Sequence, residues 1–349
     1  MATLGTGIIP GGAQGTELTY ITRRAYLPSA IVQIYQSSPL IAALMANMHT
    51  AMGGISSVTA TVQGASMVNT QWSDFSMTFN QPAYQVGLQN AEFNLKLAIT
   101  PIAYLGAESL VQDRHATLPR IEAVMNDATN NMVDTFAYAL YNNTTNTQQF
   151  IGLPGAVDDS SNLVTYGGIN RTSNPWWKAQ VKNASSATIT RATVLQYIAR
   201  TVGGPTQSGT PSANLYGGSE MPNFGVCGMA TWAQLAADYI GSESFTLLAD
   251  NTSFDQQRDG AKSAFLALQV AGVPIYADPY CPEGTLYLLN TNYIGLHMHQ
   301  AAQFAFTGFY SMIPNMQVGY VAALITAAEL VCVKPKTQTR VYSLGYATL

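Results

Sequence analysis

The chain has 349 residues, 47% of them hydrophobic and only 10% Asp, Glu, Lys or Arg, against about 25% charged in an ordinary soluble protein. Fifteen basic and nineteen acidic residues leave a net charge of -4, which lacks the electrostatic footprint of a sequence-reading nucleic-acid binder or of attachment to an anionic membrane. A monomer of this mass exposes about 13,000–14,000 Å², roughly one charge per 400 Å², so either uncharged Thr, Ser, Asn and Gln cover the outside or copies of the chain do; we favour the second.

The length allows one to three domains and a sizeable core without disulfides or metal. Cys227, Cys281 and Cys332 are far apart, odd in number and set among apolar neighbours, which reads as buried thiols in a reducing compartment. Residues 1 to 15 lack the basic start and apolar core of a signal peptide. The run from Val318 to Val333 is interrupted by Glu329 and falls short of the ~18–20 residues that span a bilayer. The expectation is a protein made in the cytosol with no membrane partner. Asn-x-Ser/Thr triplets such as those at Asn143 and Asn251 then mark only Asn-rich loops.

Residues 1 to 16 are rich in Gly and Thr and read as an arm that cannot fold alone. Apolar residues at helical spacing, Ile31, Ile34 and Tyr35, then Leu40, Ile41, Leu44 and Met45, predict a short helical arm broken at Ser37, Ser38 and Pro39. From Gly53 and Gly54 to about Ala98 the pattern alternates as strands do, with Val58, Ala60 and Val62 on one face and Phe75, Met77 and Phe79 repeating it. This is either a long two-stranded ribbon, which cannot bury a core of its own, or part of a compact sheet. A long helix follows, capped by Thr117 with Pro119 in its first turn, and Ile121, Val124, Met125, Ala128, Met132, Phe136, Ala139 and Leu140 form one apolar stripe.

Beyond Ile151 helices and strands alternate: a helix at 193–201, a Gly/Pro/Ser loop at 203–212, a strand at 223–228, a helix at 230–240 and a strand at 270–277. The remainder reads mainly as strand, at 285–289, 294–299, 318–333 and 340–344. The fold class is α+β.

Groups able to do chemistry are scarce. His297 and His299 share a strand face but have no third ligand nearby, and His49 and His115 stand alone. Gly260, Ala261, Lys262, Ser263 lacks the Gly that a phosphate-binding loop places before Lys-Ser. Gly217, Gly218, Ser219, Glu220, Met221 lacks the closing Gly of a hydrolase elbow. Asp158 with Asp159, and Asp250 with Asp255 and Asp259, read as loop carboxylates. The sequence predicts no catalytic residue, no metal and no cofactor.

One segment is more specific. After the long helix come Phe150, Ile151, Gly152, Leu153, Pro154, Gly155, Ala156, then Tyr166, Gly167, Gly168, Ile169, Asn170, Arg171, and then Asn174, Pro175, Trp176, Trp177. This resembles the "Gly-Leu … Gly-Gly-Ile-Asp/Asn-Arg … Trp" signature of tailed-bacteriophage major capsid proteins. Ser38 to Leu44 before Gly53 and Gly54 resembles that family's arm leading into its extended loop, and Ala91 to Asn94 its return strand. Met221, Pro222, Asn223 and the stretch 283–290 resemble its later strands. The resemblance implies an N-terminal arm at 1–50 and an extended hairpin loop at 51–98. It further implies a peripheral domain at 99–149 and 281–349, built on the long spine helix and C-terminal strands, and an axial domain at 150–280.

By the same resemblance the chain assembles as pentamers and hexamers into an icosahedral shell around double-stranded DNA contacted without sequence specificity, as the virion capsid of a tailed phage. An encapsulin-like nanocompartment shell, or a tail or host-recognition protein, are the alternatives. The resemblance singles out a structural or assembly motif of Gly152, Leu153, Gly167, Gly168, Ile169, Arg171, Trp176 and Trp177. Gly167 and Gly168 suit a tight turn, and the two tryptophans serve either the chain's own core or a subunit contact. Asn170, where Asp is commoner, points to a turn. Some family members weld subunits through a Lys of the extended loop; no Lys occurs from Thr50 to Phe93, so no weld is expected. The short arm implies a separate scaffolding protein, with a portal, and assembly in the host cytoplasm.

Overall fold

A computed structural model describes residues 38–51, 56–64, 87–105, 114–142, 144, 148–203, 221–240, 267–312 and 319–346. The first piece of the expected arm helix, Gly53 and Gly54, the Phe75, Met77, Phe79 repeat, the 204–212 loop and the Gly217, Asp250 and Gly260 loops lie outside the described residues.

Helix α1, Pro39–Ala46, starts with Pro at its first position, where the missing N–H costs nothing. It leads into β1, His49–Ala51, and the antiparallel strands β2, Ser57–Gln63, and β3, Leu88–Asn94. These last two pair only with each other among the described residues, so the ribbon is a separate two-stranded element. It ends sooner than expected: after Leu95 the chain enters β4, Lys96–Leu105, which pairs along its whole length with the later strand 319–332. Val58, Ala60 and Val62 turn inward opposite Phe93 and Ala91, while Thr59, Thr61 and Gln63 face outward.

The spine helix α2 spans Arg114–Asn142, about 43 Å at 1.5 Å per residue. It begins three residues before Thr117, which is therefore interior rather than a cap. Met125, Ala128, Met132, Ala139 and Leu140 of the expected stripe are buried. Helix α3, Leu153–Ala156, and the short strands β5, Thr165–Tyr166, and β6, Ile169–Asn170, follow. Next come β7, Gln180–Asn183, helix α4, Arg191–Gly203, β8, Phe224–Cys227, and helix α5, Met229–Ile240. The strand expected at 270–277 is a hairpin, β9, Ala267–Val270, and β10, Val273–Ala277, because Ala271 (φ 49°) and Gly272 (φ 82°) both enter the left-handed region, as a two-residue turn requires. The rest is β11, Leu286–Leu289, β12, Ile294–His299, β13, Ala305–Phe306, β14, Tyr310–Ser311, β15, Gly319–Cys332, and β16, Thr339–Tyr342.

Two six-stranded sheets organise these parts. In the first, β15 is the trunk: β12, β13 and β14 pair along one edge, β4 along the other, and β1 extends the sheet beyond β12. The second runs β7-β16-β11-β8-β10-β9. It joins strands from both sides of residue 280, because β11 and β16 pair with β8 and β7. The expected 280/281 boundary therefore runs through a sheet and does not separate two units.

Helices α4 and α5 cover one face of that sheet through Val194, Ile198 and Leu235. Thr190 and Thr193 cap α4 reciprocally, and the Glu283 carboxylate accepts the Ala230 and Thr231 amides at the start of α5, where the helix dipole favours an anion. The largest core cluster lies between the sheets and includes α1, α2, the ribbon root and the 150–179 segment.

Candidate functional site at the root of the ribbon

Eight residues singled out by the sequence lie in one junction or border it. Gly152 stands in ordinary extended backbone (φ -77°) before α3, and its carbonyl accepts the amides of Gly155 and Ala156 at 3.1 and 2.9 Å. Leu153 is fully buried under this turn. Gly167 (φ 58°) and Gly168 (φ 77°) make the two-residue turn between β5 and β6, a turn with both central residues in the left-handed region. Ile169 is buried opposite Tyr166. Asn170 folds its side chain onto the Thr172 amide at 2.8 Å, a local turn that fits its place after the strand.

Arg171 is the buried centre. Its Nη1 donates to the carbonyls of Gly155 (2.8 Å) and Leu163 (3.1 Å) and its Nη2 to that of Ala156 (2.7 Å). The Asp158 carboxylate stands 3.9 Å away, itself accepting amides of Ser160, Asn162 and Leu163. Burial lowers the guanidinium pKa from its usual range, with Tyr166 and Asp158 opposing. The planar fork explains why Arg stands here: it satisfies three diverging carbonyls that a turn would otherwise leave buried and unpaired.

Arg171 also lies 4.8 Å over the Tyr166 ring. The Tyr166 hydroxyl donates to the Leu330 carbonyl at 3.2 Å and accepts the Cys332 amide at 3.0 Å, fastening the junction to β15. Trp177 is buried, and its Nε1 donates to the Tyr166 carbonyl at 3.0 Å. Trp176, half-buried, meets Trp177 edge-on at 5.6 Å.

The ribbon is rooted on this knot. The Glu92 amide donates to the Gly167 carbonyl at 3.0 Å, and Phe93 packs on Tyr166 with ring centroids 5.0 Å apart. A Cβ on Gly167 would stand 2.8 Å from Phe93 Cζ, and one on Gly64 2.0 Å from Trp176 Cε2. Both strands of the ribbon thus approach the junction at bare backbone, which requires glycine at those points.

A second junction escaped the sequence reading. Asp278, fully buried, accepts hydrogen bonds from Ser38 Oγ, from Tyr141 OH at 2.8 Å and from the Tyr280 amide at 2.9 Å. It joins the start of α1, the end of α2 and the strand β10. Burial raises its pKa, opposed by these hydrogen bonds. His49 does not stand alone: β1 lies parallel to β12 in register His49 with His297, and the rings stack at 4.9 Å. Glu329 of β15 stands opposite His297 on the other side, buried, with the Ile151 amide donating to it at 3.2 Å. Among the described residues no three His, Cys, Asp or Glu gather as a metal site, and no helix is long and apolar enough to cross a membrane.

This architecture has counterparts among solved structures. A chain of the cyanophage A-1(L) capsid asymmetric unit is 12% identical and superposes with a TM-score of 0.60 over 99% of this chain and 97% of that one. The chain has the tailed-phage capsid fold. A capsid chain of an empty GTA particle (9% identical, TM-score 0.53, 89% and 97% covered) and one from Myoviridae phage XM1 (11%, 0.52, 86% and 91%) share this capsid fold. No family model and no curated protein matches the sequence.

Proposed function

We propose that this chain is the major capsid protein of a tailed phage, assembling as pentamers and hexamers into an icosahedral shell around double-stranded DNA. The observation that carries the reading is the capsid fold extending over nearly the whole chain, 99% of it against the cyanophage capsid subunit. Two features of the isolated chain support it. Among the described residues the ribbon β2–β3 pairs with no other strand, and a two-stranded element is marginal in water, so a neighbouring subunit is its natural support. The outward face of β4 is apolar, with Leu97 and Ile99 53% and 54% exposed, a surface that assembly would cover.

In this reading the Arg171 junction is an assembly motif: it fixes the angle at which the ribbon leaves the body toward the next subunit. The arm, ribbon, peripheral and axial parts keep their expected roles, with β11 and β16 reassigned to the axial sheet. The chain is structural rather than catalytic, assembled in the host cytoplasm with a separate scaffolding protein and a portal, and its contacts with packaged DNA ignore sequence.

Electron microscopy of the recombinant chain, expressed alone and with its neighbouring genes, tests this. Icosahedral shells holding nuclease-resistant DNA are the expected result. Shells filled with a co-purifying enzyme would make the chain a nanocompartment instead, and a compact monomer under all conditions would overturn the reading.

A further inference from the structure

The charge of this chain is scarce and unevenly placed. Five of its fifteen basic residues, Lys178, Lys182, Lys334, Lys336 and Arg340, fall in the stretches 178–182 and 334–340, which contain no acidic residue. Ten basic residues remain for the rest of the chain against all nineteen acidic ones.

The fold brings the two stretches together. Strand β7 lies parallel to β16, with Arg340 beside Val181 and Val341 beside Lys182, and the Gln180 amide donates to the Gln338 carbonyl at 3.0 Å. The turn 335–337 packs against β7. As β7 is the edge of the second sheet, Lys178 and Lys182 lie along a border, whereas Arg340 stands on the next strand inward with its Nε and Nη1 buried. Lys182 is exposed and Lys336 half-buried, while Lys334 rests on the Tyr293 ring at 4.9 Å. Asp158 is engaged with Arg171, and Asp159 with the Ser161 amide.

The opposite character appears on α2. Its outward side presents Asp127, Asn130, Asn131, Asp134 and Tyr138, the last 64% exposed, and positions 124–142 contain no Lys or Arg. Two carboxylates on the same side of the helix as an open phenol ring, Asp134 already accepting the Tyr280 hydroxyl, offer ammonium groups both charge and a ring face. Asp127 and Asp134 are seven residues apart, about 10 Å along the helix. Lys178 and Lys182 are four apart, about 13 Å in extended chain. The two rows are complementary in sign and similar in span.

We infer that the basic β7–β16 border of one subunit docks on the Asp127–Tyr138 face of the spine helix in a second copy. Two different faces that fit each other make a head-to-tail contact, the kind that closes into a ring. The inference rests on the capsid reading and names the contact that would join neighbours within a pentamer or hexamer.

Charge exchange tests it on shells formed by the full chain. Lys182→Glu with Lys336→Glu is expected to cut the yield of sedimenting shells about tenfold or more, the equilibrium effect of losing a modest contact. Adding Asp127→Lys and Asn131→Lys to that variant is expected to restore shells; Asp134 is left alone because it receives the Tyr280 hydroxyl. Thermal melting of unassembled subunits verifies folding, and Lys182→Gln with Lys336→Gln, giving a smaller loss, replaces the Glu variant if that one does not fold. Unchanged assembly of the folded variants, or a loss that the helix substitutions do not repair, would overturn the inference. So would normal shells that fail to retain DNA, which would assign the border to phosphates. A wild-type chain that forms no shells even when expressed with its neighbouring genes refutes the capsid reading itself.

Discussion

Gly167 and Gly168 are adjacent, both with positive φ, yet they meet different surroundings. A Cβ at Gly167 collides with Phe93 Cζ at 2.8 Å, whereas one at Gly168 meets nothing within 4 Å. Gly168→Ala therefore carries only the backbone strain of the left-handed region, about 1–2 kcal/mol, while Gly167→Ala adds displacement of the ribbon root. Urea unfolding of disassembled subunits is expected to show Gly167→Ala clearly the more destabilising. Titration adds a second expectation. Burial pushes the Glu329 carboxyl from its usual 4.5 up to about 8, against the Ile151 amide and Lys96. Burial, then His49, lowers His297 from 6.5 to about 4. The folded state keeps a proton on Glu329 that the unfolded chain has released, so that stability is full below 4.5 and is lost as pH rises through 8. It refuses one on His297, so that stability is full above 6.5 and is lost as pH falls through 4. Glu329→Gln should flatten the alkaline limb of a stability–pH profile and His297→Gln the acid limb. The glycine turn was legible because its cause is local, whereas the buried Glu329 carboxyl is met by the Ile151 amide, 178 residues away, and no local pattern announces that.

At the scale of elements the same division holds. Helix α2 was legible from its stripe, since a 3.6-residue period reports a buried face wherever the helix lies, although its first turn was not. The ribbon was legible as strand, but whether it stood apart depended on pairing with distant strands, which it does not make among the described residues. The second sheet was not legible as one sheet, because β16 pairs with β7 across more than 150 residues of chain and strand order is set by tertiary packing. Trp176 provides the element-level test of the ribbon root. Its ring lies where a Gly64 side chain would stand, on the backbone of the ribbon's outgoing strand. Trp176→Ala removes that plate without touching the Trp177 hydrogen bond to Tyr166. Amides of residues 58–63 and 88–94 are expected to exchange about tenfold faster or more in unassembled subunits, with the protection of β15 unchanged. Unaltered exchange in the ribbon would mean that Phe93 and the Glu92 amide hold the root alone.

For the whole molecule the question is what holds copies together, and covalent chemistry is poorly supplied. The segment from Thr50 to Phe93 contains no Lys to form an amide bridge. Cys227, Cys281 and Cys332 are free and buried; burial raises all three thiols, Cys332 to about 12, and a thiol held protonated neither attacks nor exchanges disulfides. In the proposed shell, cohesion is left to surface: the apolar strip of Leu97 and Ile99 on β4, a ribbon laid on a neighbour, and the few charges available. Shells of this chain are therefore expected to dissolve in hot detergent to a single band near 37.3 kDa, with or without reductant. A ladder of multimers that survives reductant would require a bridge made by residues outside the ribbon. A ladder that reductant abolishes would require one of the three thiols to reach solvent in the assembled state, and so a movement of the core that buries it here.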